Sequence, residues 1–229
     1  MPEQPAERSW HRLRPLDHGD IETMARWFTS VDDIAMFAAG MTLPPSAAAL
    51  ERRWAPVIDG DVPNSWFFVV EDPQGALVAF AGIEDVNLVH GTGLVPIWVA
   101  AEARGRGIGL AVRALQLDLA FGQLGLHRVT SQLRADNEPS LRLIRACGFQ
   151  PEGTQRQAWR VGDRRVDVVV SGLLAPEWAA QRPTLARSMK PALTVRCGDD
   201  PRSEWPTAVL AGDDGGAHAG PLANDDSGR

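Results

Sequence analysis

The sequence predicts an α+β fold: a single domain in which one mixed, mostly antiparallel sheet is flanked by helices. Three observations carry that expectation. Strand-like and helix-like patterns alternate from residue 10 to about 180, two strand runs are joined by the tight turn Asp72, Pro73, Gln74, Gly75, and a glycine-rich turn at 104–109 stands between a strand and a helix. With 229 residues and 44% apolar content, the chain has material for one full core.

The elements follow in order. A first strand is expected at 10–14; Asp20 then supplies an N-cap for a helix running towards Phe28, and Ser46 one for a second helix through Val57. Strands at 66–71 and 77–84 form the hairpin. A third strand over 94–99 follows the turn at 89–93, and the glycine turn leads into a helix to about Leu124 with Leu110, Ala114, Leu117 and Phe121 on one stripe. A strand at 127–134 comes next. Residues 137–146 read as a helix closed by Gly148, and two last strands, near 153–161 and 165–174, meet at Gly162 and Asp163. Domain organisation is then a flexible N-terminus at 1–9, the domain at 10–180, a linker or short helix at 181–195, and a disordered acidic tail at 196–229. In that tail Gly, Asp, Pro and Ala occur without any period.

Composition excludes several classes. No apolar run approaches the roughly 18 residues of a membrane span and no apolar leader opens the chain, so a soluble, cytoplasmic protein without a membrane partner is expected. Two cysteines, Cys147 and Cys197, are too few and too far apart for a disulfide framework or a tetrahedral metal site, and no metal is expected. The net charge of −6 is uneven: residues 1–103 and 191–229 are acidic, whereas 104–190 are basic. A basic second half suits an anionic ligand and an acidic first half a cationic one. Of the eight tryptophans, Trp27, Trp54 and Trp66 fall in the acidic half, where rings wall a cleft or, more often, fill a core.

The junction at Arg104, Gly105, Arg106, Gly107, Ile108, Gly109 and Leu110 carries the chemistry. A strand ending in a glycine turn that opens a helix gathers unpaired N–H groups and the positive helix end at one spot, which suits a pyrophosphate. Gly107 and Gly109 let the backbone approach the phosphates, while Arg104 and Arg106 add charge. The spacing matches neither the dinucleotide fingerprint nor a P-loop, since neither the third glycine nor Gly-Lys-Ser/Thr is present.

Arg104-x-x-Gly107-x-Gly109, followed by Asn137-x-x-Ser140 and Gly148-Phe149, resembles the acyl-CoA signature and downstream element of the GNAT acyltransferases. Arg12-Leu13-Arg14-Pro15 and Gly172-Leu173-Leu174-x-x-Glu177-Trp178 look like its branch that acetylates ribosomal-protein N-termini. The resemblance covers about residues 10–180. It implies acetyl-CoA or another acyl-CoA as co-substrate, with pyrophosphate on the N–H groups of Arg106 to Leu110, and with Ile97, Trp98 and Val99 beside the pantetheine arm. Asn137 would bond that arm, Ser140 would protonate the leaving thiolate, and the strand holding Ile97 to Val99 would supply the N–H that polarises the thioester carbonyl. The implied acceptor is a small-molecule amine or a protein N-terminus.

Departures from the family leave the proton chemistry open. The chain has no tyrosine; Ile144 and Ser171 stand where tyrosine is frequent, and Trp159 stands where some ribosomal-protein enzymes carry a glutamate base. Glu84, Asp85, His90 and Asp167 are the candidate bases, each with an ordinary solvated or structural reading beside it. Two other functions compete: an acyltransferase of the same fold that takes its donor from aminoacyl-tRNA through the arginines at 128–165, and a non-catalytic CoA sensor. A homodimer is left open.

Overall fold

The computed structural model describes residues 10–29, 31, 34, 44–189 and 193–212. The expected flexible N-terminus, 1–9, and residues 213–229 of the expected tail lie outside them. In chain order the elements are β1 (His11–Pro15), α1 (Ile21–Ala25), α2 (Ala47–Ile58), β2 (Trp66–Glu71), β3 (Leu77–Asn87), β4 (Thr92–Leu94), β5 (Ile97–Val99) and α3 (Ile108–Asp118). After a π-helical turn come β6 (Arg128–Arg134), α4 (Glu138–Ala146), β7 (Gln150–Val161), β8 (Arg164–Leu174), α5 (Ala175–Ser188), β9 (Val195–Cys197) and α6 (Thr207–Gly212). They form one mixed sheet in the order β7-β8-β6-β4-β3-β2-β1-β9, with β5 on β3. Its pairs are antiparallel except β4 with β6 and β1 with β9.

Strand alternation sends the apolar residues to two cores. Val69, Phe80 and Trp98 face α1 and α2, where Met24, Phe28, Leu50 and Trp54 cover them. Their neighbours Val70, Ala79 and Ala81 face the other side, against Ile108, Ala111 and Leu115 of α3. Trp54 is therefore a core residue, and Trp66 is partly buried against the second core.

Local signals hold at most ends. The Ser46 hydroxyl accepts from Ala49 N–H at 3.2 Å, and Gly148, at φ 92°, closes α4 in the left-handed region. Asp20 is different. Its carboxylate takes the Arg14 guanidinium and Asp17 N–H instead of capping α1, and Asp17 caps the turn before it.

Two corrections concern length. The third strand, expected as one piece over 94–99, is broken at Val95 and Pro96 into β4 and β5. Past residue 180, α5 runs to Ser188 within the span given to a linker or short helix, and the described residues 196–212 are structured where a disordered tail was expected: β9 extends the sheet beside β1, and Trp205 is 1% exposed within the core. A Gly- and Asp-rich composition conceals three apolar anchors there, Val195, Trp205 and Val209, which are all buried.

Candidate functional site

The break at Pro96 opens the sheet. β4 pairs in parallel with β6 from Thr92 with Arg128 to Leu94 with Thr130, but beyond that point β5 bonds only β3 and β6 bonds only β8. A wedge therefore separates Ile97–Val99 from Ser131–Arg134. Within β5 the register fixes which groups face it. Gly82 N–H donates to Pro96 O and Ala100 N–H to Val78 O, so the even residues 96, 98 and 100 bond β3. Antiparallel alternation then turns the N–H and C=O of Ile97 and Val99 into the wedge. Val99 O accepts from Arg104 Nε at 2.9 Å, and the Arg104 guanidinium lies 4.8 Å from the Trp98 ring centre. Arg104 thus also pins the start of the glycine turn to β5, beyond the anion-binding part expected of it.

That turn ends at the N-terminus of α3. Gly107 is its N-cap at φ 90°, a conformation that L side chains rarely adopt. Leu110 N–H already donates to Gly107 O at 3.0 Å, which removes it from the expected anion-binding set. The N–H groups of Ile108 and Gly109 precede the first intrahelical bond and point out of the helix end, together with those of Arg106 and Gly107. Gly109 serves close approach: a Cβ there would lie 3.1 Å from Leu143 Cδ1 and 3.3 Å from Val99 Cγ2, where α3 meets α4 and β5.

The wedge opens into a cavity of about 560 Å³. Glu84, Ile97, Ser140 and Trp159 line it, with the rings of Trp54, Phe67 and Phe80 on the α2 side. Asn137 caps α4, its Oδ1 accepting from Ser140 N–H at 3.2 Å, and so sets the first turn that presents Ser140. The Ser140 hydroxyl makes no hydrogen bond among the described residues, to its own helix or elsewhere. Ile144 and Ser171, the expected tyrosine positions, are buried, and Ile144 lines the cavity.

Of the candidate bases, only Glu84 lines the cavity. Burial raises its carboxyl above the usual carboxylate range; neighbouring Asp85 pushes the same way and Arg53 opposes. Asp85 sits at φ 52° in an irregularity of the β3–β4 pairing, its N–H on Ser65 Oγ, and His90 is exposed in the turn beyond. Asp167 lies outside the cavity lining. Its Oδ1 accepts from Gln157 N–H at 2.8 Å, bridging the bulge between Gln155 and Trp159 in β7, and so it supports the bulge beside which Trp159 enters the cavity. Much of the acidic first half is committed elsewhere: Asp20 and Glu71 to Arg14, Glu51 and Asp59 to His18.

Two cavity features were not anticipated. Arg113 reaches the lining from inside α3, and Gln116 stands beside it. Among the described residues no group of side chains could hold a metal ion, and no helix is long and apolar enough to cross a membrane.

Residues 11–150 match the family model described as an acetyltransferase (GNAT) domain. The chain is similar to YdaF of Bacillus subtilis, which is named as a ribosomal N-acetyltransferase, with 29% identity over 109 residues, 48% of this chain and 60% of the relative. It is also similar to the N-alpha-acetyltransferase RimI of Mycobacterium tuberculosis, with 35% identity over 94 residues, 38% of this chain and 54% of the relative. The chain thus spans less than two thirds of the length of either. Among solved structures, a spermidine N-acetyltransferase from Vibrio cholerae in complex with CoA and spermine superposes with a TM-score of 0.68 at 24% identity. The match covers 75% of this chain and 99% of that one, a likeness of fold.

Proposed function

Because the chain belongs to the GNAT acetyltransferase family, we propose that it transfers an acetyl or other small acyl group from acyl-CoA to an amine, on a small molecule or a protein N-terminus. One observation carries the reading: a strand edge that exposes the N–H groups of Ile97 and Val99 runs from the cavity towards a helix end where the N–H groups of Ile108 and Gly109 have no partner among the described residues. An amide-bearing arm extends the sheet along that edge while its pyrophosphate meets the helix end. The names of the relatives, RimI for an N-terminus and the Vibrio enzyme for a polyamine, support both acceptor classes.

In the reaction we propose, the neutral amine attacks the thioester carbonyl carbon and forms the C–N bond. Negative charge builds on the carbonyl oxygen, which Ile97 N–H receives. The C–S bond then breaks and the thiolate takes the Ser140 hydroxyl proton, while the amine's proton leaves to Glu84 and passes on through water to the Ser140 oxygen, so that both side chains return to their starting forms. Glu84 stands three residues along β3 from Ala81, the partner of Ile97, a rise of about 10 Å, so the proton reaches it through water. Release of CoA thiol from acetyl-CoA over a panel of amines tests the reading; bound acetyl-CoA with no thiol release for any amine would overturn it.

Two variants separate the proton steps. Ser140→Ala is expected to lower kcat by about 100-fold, the lower range for a lost general acid, with acetyl-CoA affinity nearly unchanged. A wild-type rate across the pH profile would mean that the thiolate leaves unassisted. For Glu84 the active form is the carboxylate, so kcat/KM rises with pH through its pKa. Because burial raises that pKa, the rise lies above the usual carboxylate range. Glu84→Gln should abolish this limb and leave only the one set by the amine. An unchanged profile would remove Glu84 from the mechanism.

A further inference from the structure

Arg113 is buried to 1% exposure inside the apolar core of α3, beside Cys147. Its guanidinium bonds neutral groups, and both bonds leave from Nη1: one to Val95 O, the other to Gln116 Oε1 at 2.8 Å. Nε is buried without a partner among the described residues. Burial lowers the pKa to about 10, so the group is still a cation at neutral pH. As packing alone, an apolar side chain would fill this space at lower cost, because a desolvated charge without a counter-ion is unfavourable.

The remaining hydrogen bonds say where that charge is directed. Gln116 Nε2 donates to Gly82 O and, at 2.9 Å, to Pro96 O. Pro96 C=O and Ile97 N–H belong to one trans peptide unit and point in opposite directions. Holding the carbonyl from behind therefore aims the N–H into the wedge, where the alternation of β5 also directs it.

The geometry points to a polarising relay that runs from the Arg113 guanidinium through the Gln116 amide and the Pro96–Ile97 peptide to the thioester carbonyl. The guanidinium donates, and the Gln116 amide and the peptide each accept at one end and donate at the other, so the cation strengthens every following bond and makes Ile97 N–H a better donor to the forming oxyanion. Arg113 and Gln116 are positioning residues, since they act on the carbonyl through the Pro96–Ile97 peptide. The relay rests on the acyl-CoA reading, and it concerns carbonyl activation, apart from the proton steps of Ser140 and Glu84.

The test is the infrared carbonyl band of acetyl-CoA labelled with carbon-13 at the carbonyl, bound to the protein without acceptor. In the wild type the band should lie below that of free acetyl-CoA. Arg113→Met should return it towards the free position and lower kcat by about 10- to 100-fold, with acetyl-CoA affinity changed less than about threefold. Gln116→Glu is nearly isosteric, and its carboxylate cannot donate to Pro96 O; it should move the band the same way, while Arg113→Lys should keep part of the shift. A wild-type band at the free position overturns the relay whether or not the variants fold, and so does a wild-type band in Gln116→Glu. Failure of acetyl-CoA to bind would instead overturn the acyl-CoA reading and the relay with it.

Discussion

Gly107→Val is expected to weaken CoA binding by about 10²- to 10⁴-fold, read by titration calorimetry, while circular dichroism remains that of the wild type. Gly107 holds φ 90° as the N-cap of α3, and a branched residue there is strained by at least the ~1–2 kcal/mol of the left-handed region. Relief of that strain turns the peptide and moves the N–H groups of Ile108 and Gly109 off their common target. Charge-assisted hydrogen bonds contribute about 1.5–3 kcal/mol each, so loss of two accounts for the expected range. The fold should survive, because the new Cβ would meet only Leu193 Cδ2, at 3.2 Å, the free end of a side chain. Affinity for Gly107→Val within threefold of the wild type would remove the loop from the donor site.

What could be read from the chain was local. The hairpin turn at Asp72–Gly75, the cap at Ser46, the stop at Gly148 and the glycine turn each depend on a few adjacent residues, and all formed as expected. The wedge depends on register between distant strands. Its only sequence trace is Pro96, which lacks the N–H that an unbroken central strand needs. Arg113 and Gln116 were hidden for a related reason: the stripe of Leu110, Ala114, Leu117 and Phe121 assigns α3 a single buried face. Val112, Arg113 and Gln116 are buried too, so the helix is enclosed nearly all round. A polar pair three residues apart in an otherwise apolar helix was the available signal. Asp167 was assigned by family position, and its partner Gln157 N–H exists only because β7 bulges.

Trp205→Ala is expected to destabilise the protein by about 3–5 kcal/mol, the range for truncating a buried large aromatic residue, which corresponds to a Tm lower by about 6–20 °C for a chain of this size. The indole is 1% exposed and stacks on Trp178 with ring centres 5.7 Å apart. Its Nε1 donates to Asp118 Oδ2 at 2.6 Å, at the carboxylate that also receives Trp178 Nε1 and the Arg182 guanidinium. Asp118 thus ties the end of α3 to α5 and to the segment after β9. Trp205→Phe should cost less, about 1–2 kcal/mol, since the stacked ring remains and Asp118 keeps two of its three donor residues. The loss should also reach the donor site. The backbone of Trp205 exchanges two hydrogen bonds with Val195, and Leu193, two residues earlier, touches the space beside Gly107. Loosening of β9 in Trp205→Ala should therefore weaken CoA binding several-fold, and saturating CoA should restore part of the lost Tm, because a ligand that binds only the folded state stabilises it. A Tm within 2 °C of the wild type would show that the segment from 193 to 212 adds little to the fold, as its composition alone suggests.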